Sequence, residues 1–138
     1  MTEAAKERKS VMLVEDVAVT ALAVADALED AGYNVLGPCA SCSDALAVLS
    51  EARPDYAILD ITLRESSCLA AARELRKHGI PFLVYSGWAP LAPVPEELRE
   101  ARWLEKPVSF DALIGGLETL EQSSQPGNVN SDAFQISA

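Results

Sequence analysis

The feature that most constrains this chain is a repeated alternation between two hydrophobic periods. Short unbroken apolar runs, Val11-Met12-Leu13-Val14, Tyr56-Ala57-Ile58-Leu59 and Phe82-Leu83-Val84-Tyr85, are separated by stretches with helical spacing. A run of about four apolar residues between polar flanks suits a strand covered on both faces. Asn34 to Gly37 and Arg102 to Glu105 read as two weaker strands. The first helix has Ala18, Leu22, Ala25 and Leu28 at helical spacing and Gly32 as its stop. Ala21 and Val24 are expected to be small, apolar and exposed. Ser41 and Asp44 make a capping-box-like start to a second helix lined by Cys42, Ala45, Leu46 and Leu49. A third runs from about Ser66 to His78 and is stopped by Gly79. Pro90, Pro93 and Pro95 leave room only for a shortened fourth helix, Glu96 to Glu100. The last helix carries Phe110, Leu113, Ile114, Leu117 and Leu120 on one face, with Gly115 and Gly116 weakening it locally. Five strand–helix units imply an α/β fold, a doubly wound parallel sheet with helices on both faces.

The 138 residues suit one domain, and 49% apolar content is enough for a core. We expect the domain at residues 9–121, a flexible N-terminus at 1–8, and a flexible Ser-, Gln- and Asn-rich tail at 122–138. Such a tail is too short for a further output domain. The net charge of −10 repels nucleic acid and anionic lipid. No apolar run approaches the ~20 residues of a membrane span, and the polar start lacks a signal-peptide core, so a cytoplasmic location is expected. Cys39 and Cys42 have C-x-x-C spacing, but only Cys68 and His78 remain as further ligands. A zinc site would need two more strong ligands in a second motif. Buried thiols are the favoured reading, and a disulfide framework is not expected.

Sheets of this type bind ligands beyond the carboxyl ends of their strands. The first strand ends in Glu15-Asp16, the third in Asp60, the fourth in Ser86-Gly87 and the fifth in Lys106-Pro107. Any one of these alone reads as a solvated loop residue. Together they bring three carboxylates, a hydroxyl and an ammonium to one rim. Three crowded carboxylates raise one another's pKa, and a divalent cation removes the conflict. Hard oxygen ligands suit Mg²⁺, which keeps waters and can accept a phosphoryl oxygen. A carboxylate can attack phosphorus to form an aspartyl phosphate, with Lys106 and Ser86 supplying charge and a donor.

These residues resemble the receiver domains of response regulators in two-component systems, over about Lys9 to Glu121. The resemblance rests on the acidic pair after the first strand, Ile58-Leu59-Asp60, the Ser86-Gly87 step and Lys106-Pro107. It implies a flavodoxin-like sheet of order 2-1-3-4-5. It implies phosphorylation of Asp60 by a histidine kinase or a phosphotransfer protein, and Mg²⁺ held by Glu15, Asp16, Asp60 and the Thr62 carbonyl. Lys106 would contact the phosphoryl group, Ser86 would move toward it, and Trp103 takes the switch-aromatic place. Thr62 and Trp88 stand where the family tunes phosphoryl lifetime. The helix beginning near Ala18 and the loop after Lys106 are the implied kinase-docking surface, with Ala21 and Val24 as small apolar contacts.

Several residues depart from the family pattern. Arg64 replaces a frequent proline, and Trp103 replaces Tyr or Phe, so a packed edge aromatic stands beside a moving one as its reading. Pro81 to Trp88 is similar to the PFxxxTG-aromatic motif of stand-alone, FATGUY-like receivers, which often pair with HWE-type kinases. The expected function is a phosphoacceptor with self-catalysed phosphotransfer and dephosphorylation rather than an enzyme acting on other substrates. It would serve as a relay member, a phosphate sink or a binding switch. The alternatives are a phosphorylation-independent receiver-like module, which would usually lack the acidic pair, acceptor or lysine, and a metal-dependent phosphatase. The phosphatase would usually carry a carboxylate where Thr62 stands.

Overall fold

The computed structural model describes residues 8–60, 67–86, 98, 101–106 and 108–123. Strands and helices alternate as β1 (Ser10–Val14), α1 (Ala18–Asp30), β2 (Asn34–Cys39), α2 (Cys42–Leu49), β3 (Tyr56–Asp60), α3 (Ser67–Lys77), β4 (Phe82–Ser86), β5 (Arg102–Glu105) and α4 (Phe110–Ser123). All strand pairs are parallel, in the order β2-β1-β3-β4-β5. This is the flavodoxin-like arrangement expected above. The shortened helix at Glu96 to Glu100 lies outside the described residues except at Leu98, which is buried.

Side chains alternate along each strand, so the apolar runs split into two half-cores. Met12, Val14, Ala57, Leu59 and Val84 face the side covered by α2 and α3, with Ala45, Leu49, Ala72 and Leu75 above them. Val11, Leu13, Ile58, Leu83 and Tyr85 face the side covered by α1 and α4, beneath Val24, Leu28, Leu113 and Leu117. Full burial of such a side chain stabilises by about 1.5–3 kcal/mol relative to leaving it exposed. Among the described residues, no helix is long and apolar enough to cross a membrane.

The structure differs from the sequence expectation in α1, at Phe110 and at Cys42. The buried stripe of α1 is Ala21, Val24, Ala25 and Leu28, whereas Leu22 is 65% exposed. Ala21 and Val24 therefore lie in the core, and the exposed apolar residues here are Val17, Val19 and Leu22. The helix is alanine-rich and apolar on more than one side, so packing on β1 and β2 selects the phase. In α4, Leu113 and Leu117 are buried, but Phe110 stays exposed at the start of the helix. Gly116 has a structural use as well as a propensity cost: a Cβ there would lie 3.1 Å from the Leu83 side chain, so its absence lets α4 settle on β4. Cys39 is a free, buried thiol, pushed up in pKa by burial and by the charge of Asp44. Cys42 is disulfide-bonded, so the buried-thiol reading holds for Cys39 and fails for Cys42. The C-x-x-C pair does not close on itself.

Other local signals act as read. The Ser41 hydroxyl accepts from the Asp44 N–H at 3.1 Å and caps α2. Gly32 and Gly79 follow α1 and α3 with positive φ. The bend in β2 bears directly on the site. Gly37 has φ +104°, and a Cβ would lie 2.6 Å from the Cys39 nitrogen. Past that bend the Cys39 carbonyl accepts from the Glu15 N–H at 2.9 Å. The tight turn thus fixes the backbone of an acidic strand-end residue. We expect Gly37→Ala to cost about 2 kcal/mol in urea-induced unfolding. An unchanged midpoint would contradict this assignment.

Candidate functional site

The two-residue period of the strands builds the site. Leu13, Ile58 and Leu83 lie on the α1/α4 side of the sheet, and Leu104 packs against the same cluster. Two residues beyond each stand Glu15, Asp60, Tyr85 and Lys106. Parallel register brings these ends together, since Val14 pairs with Leu59 and Asp60 with Tyr85. The site is the continuation of one core row into polar chemistry.

Carboxylate oxygens of Glu15, Asp16 and Asp60 lie within 4.8 Å of one another. Glu15 is only 2% exposed. A buried charge is costly unless paired and hydrogen-bonded, and this one is held at both oxygens. The Tyr85 hydroxyl donates to Oε1 at 2.5 Å, and the Val17 N–H donates to Oε2 at 3.0 Å. Lys106 Nζ donates to Asp60 Oδ2 at 3.1 Å and lies 3.5 Å from Glu15 Oε1. The same ammonium sits 4.6 Å from the centroid of the Tyr85 ring.

Three carboxylates facing one ammonium leave a negative excess when all are ionised. Its effect is divided unequally. Burial pushes Asp60 up to about 6, and its hydrogen bond with Glu15 and that group's charge add to the rise against the pull of Lys106. Burial also acts to raise Glu15, but hydrogen bonds with Tyr85, Asp60 and the Val17 N–H, and the charge of Lys106, bring it below its ordinary value. Metal-free, the pair keeps a proton on Asp60 into mildly acid solution. The Tyr85 phenol is raised by burial and by the neighbouring carboxylates, so it stays a donor. This donor set fits a hard divalent cation: clustered carboxylate oxygens with a negative excess among the described residues.

Glu15, Asp16, Asp60 and Lys106 come together. Ser86 ends β4 opposite Glu105, but its side chain lies outside the described residues, as do Thr62 and Trp88. Trp103 is half-buried against the α2/α3 half-core, and its indole N–H donates to the Leu98 carbonyl at 3.4 Å. In this state it is a packed edge aromatic. Tyr85 was missed as a site residue because it closes an apolar run. The signal was its place two residues beyond Leu83, in the row that also yields Asp60.

A family profile for the response regulator receiver domain matches residues 11–118. The chain belongs to the response regulator receiver domain family. It thereby joins two-component signalling proteins whose receiver domains bind Mg²⁺ through acidic residues. Chemotaxis protein CheY of Thermotoga maritima is 32% identical over 69 residues, covering 50% of this chain and 58% of that protein. Transcriptional regulatory protein PdtaR of Mycobacterium tuberculosis is 28% identical over 114 residues, covering 80% and 55% respectively. The chain thus spans a little over half the length of these curated relatives. Among solved structures, a response regulator receiver protein from Sinorhizobium medicae is 29% identical with TM-score 0.70, covering 83% of this chain and 94% of that one. A Francisella response regulator receiver domain shares the fold at TM-score 0.71 with 20% identity, covering 86% and 100%.

The raised Asp60 carries a consequence for stability. The folded receiver domain holds that proton to higher pH than the unfolded chain, so stability without metal falls as pH rises from 3.8 through about 6. Removing the charge reverses the loss. We expect Asp60→Asn to be more stable than wild type at pH 7 in chelator, by about 1–3 kcal/mol. A less stable Asn variant in urea unfolding would show that the carboxylates are not in conflict.

Proposed function

We propose that Asp60 is the phosphoacceptor of a Mg²⁺-dependent phosphorylation switch served by a histidine kinase or phosphotransfer protein. The observation that carries this reading is Asp60 itself: a buried carboxylate at a strand end, in contact with Lys106 and crowded by Glu15 and Asp16. Glu15, Asp16 and Asp60 would hold the ion, with the Thr62 carbonyl as the further ligand the family resemblance implies. When bound, it supplies positive charge to the carboxylates and to phosphoryl oxygens.

The chain's own residues do the rest. An Asp60 oxygen attacks phosphorus, an O–P bond forms, and the donor's P–N bond breaks, with its electron pair leaving on the imidazole. Lys106 stays with the acceptor and neutralises charge on the transferred group. Ser86 would supply the hydroxyl that engages the phosphoryl group afterwards. Hydrolysis of the acyl phosphate in the same pocket returns Asp60, making dephosphorylation self-catalysed and the protein an acceptor rather than an enzyme on other substrates. The PFxxxTG-aromatic segment favours an HWE-type kinase as donor. The phosphorylated form would act as a relay member, a phosphate sink or a binding switch, with lifetime tuned at Thr62 and Trp88. A change at Ser86 would reach output through β5, where Trp103 lies.

Acetyl phosphate with Mg²⁺ is expected to give acid-labile phosphate on wild type and none on Asp60→Asn, read by intact mass. Equal labelling of the two proteins would overturn the assignment. Bound Mg²⁺ needs ionised Asp60, so its apparent affinity should fall as pH drops below about 6. Calorimetry in two buffers of different ionisation heat should find protons released on binding in that range. Affinity independent of pH over about one unit either side of that value would contradict the raised acceptor.

A further inference from the structure

We propose that Tyr85 is a positioning residue of the site, its hydroxyl orienting Glu15 for the cation and its ring seating Lys106 beside the acceptor. This rests on the phosphoacceptor reading and goes beyond it, because no part of that reading requires a phenol at this place. The residue is 3% exposed and lies opposite Asp60 in the β3–β4 register. An apolar side chain would satisfy packing there. Instead, the phenol reaches across β3 to β1 and donates to Glu15 Oε1 at 2.5 Å. The Val17 N–H holds the other oxygen, so two neutral donors fix the carboxylate plane.

The arrangement biases an ammonium that touches two carboxylates. Lys106 Nζ lies between Asp60 Oδ2 at 3.1 Å and Glu15 Oε1 at 3.5 Å. With the hydroxyl present, Oε1 is already satisfied by a neutral donor, and the ammonium favours Asp60. Without it, Glu15 keeps the Val17 N–H and its hydrogen bond with Asp60, and Oε1 draws Lys106 closer. Their 3.5 Å contact tightens into a shorter ion pair that a cation must break. The ring contributes separately. At 4.6 Å from its centroid, the ammonium is held over the face of Tyr85 while it reaches the acceptor.

Two substitutions separate these roles. Tyr85→Phe keeps the ring and loses the hydroxyl, whereas Tyr85→Val loses both. We expect Tyr85→Phe to bind Mg²⁺ about tenfold more weakly by calorimetry, the scale of one charge-assisted hydrogen bond. At saturating Mg²⁺ it should take phosphate from acetyl phosphate at close to the wild-type rate. Tyr85→Val should remain about tenfold slower at saturating Mg²⁺, the scale of a desolvated cation–π contact. Circular dichroism checks that each variant is folded. Where Tyr85→Val fails to fold, Tyr85→Leu takes its place, and the Tyr85→Phe affinity decides the hydroxyl role alone. Wild-type Mg²⁺ affinity in folded Tyr85→Phe would overturn the inference and leave the phosphoacceptor reading standing. A wild-type protein that neither binds Mg²⁺ nor accepts phosphate overturns both.

Discussion

The structure depends on one electrostatic compromise, the contact of Lys106 with two buried carboxylates at the ends of β1 and β3. One ammonium cannot offset three acidic groups within 4.8 Å. The fold tolerates the excess by spending polar contacts on it. Tyr85 and the Val17 N–H hold Glu15 in its ionised state, and Asp60 absorbs the remaining conflict by holding its proton more tightly. A group that gains from a nearby positive charge is a natural place for a cation and a phosphoryl group to meet.

The sheet brings these groups together at little structural cost. A residue's parity along a strand decides which half-core it joins. Extending the α1/α4 row by two residues in β3 and β4, and past the ends of β1 and β5, turns leucine and isoleucine into glutamate, aspartate, tyrosine and lysine. The polar site is therefore anchored by the same backbone ladder that sets the core. Gly37 extends this logic to β2, whose bend presents the Cys39 carbonyl to the Glu15 N–H.

Much of this was legible in the sequence because it lies on a simple period. The unbroken runs at 11–14, 56–59 and 82–85 located the central strands, and Glu15, Asp16, Asp60 and Lys106 were legible as residues that end strands. Signals failed where composition was degenerate. In α1, alanine and valine occupy several sides, so spacing alone admits Leu22 as inward, whereas Ala21 stands three after Ala18 and four before Ala25 and its burial follows from that same spacing. Tyr85 was hidden for another reason. A tyrosine after Phe-Leu-Val reads as an apolar strand residue until the register shows Glu15 within reach of its hydroxyl. The bonded state of Cys42 had no local signal, since its pairing depends on how the chain folds in three dimensions.

Membership of the receiver family gives the pocket its context, and the details of this chain give it particular chemistry. A glutamate leads the acidic pair, a phenol clamps it, and a tryptophan packs at the edge strand. The most direct test of the account is urea unfolding with and without Mg²⁺ at pH 7. Wild type should gain stability with added Mg²⁺, approaching about 1.4 kcal/mol for each tenfold increase beyond half-saturation, while Asp60→Asn gains much less. A wild-type protein that unfolds at the same urea concentration with millimolar Mg²⁺ or with chelator would contradict it.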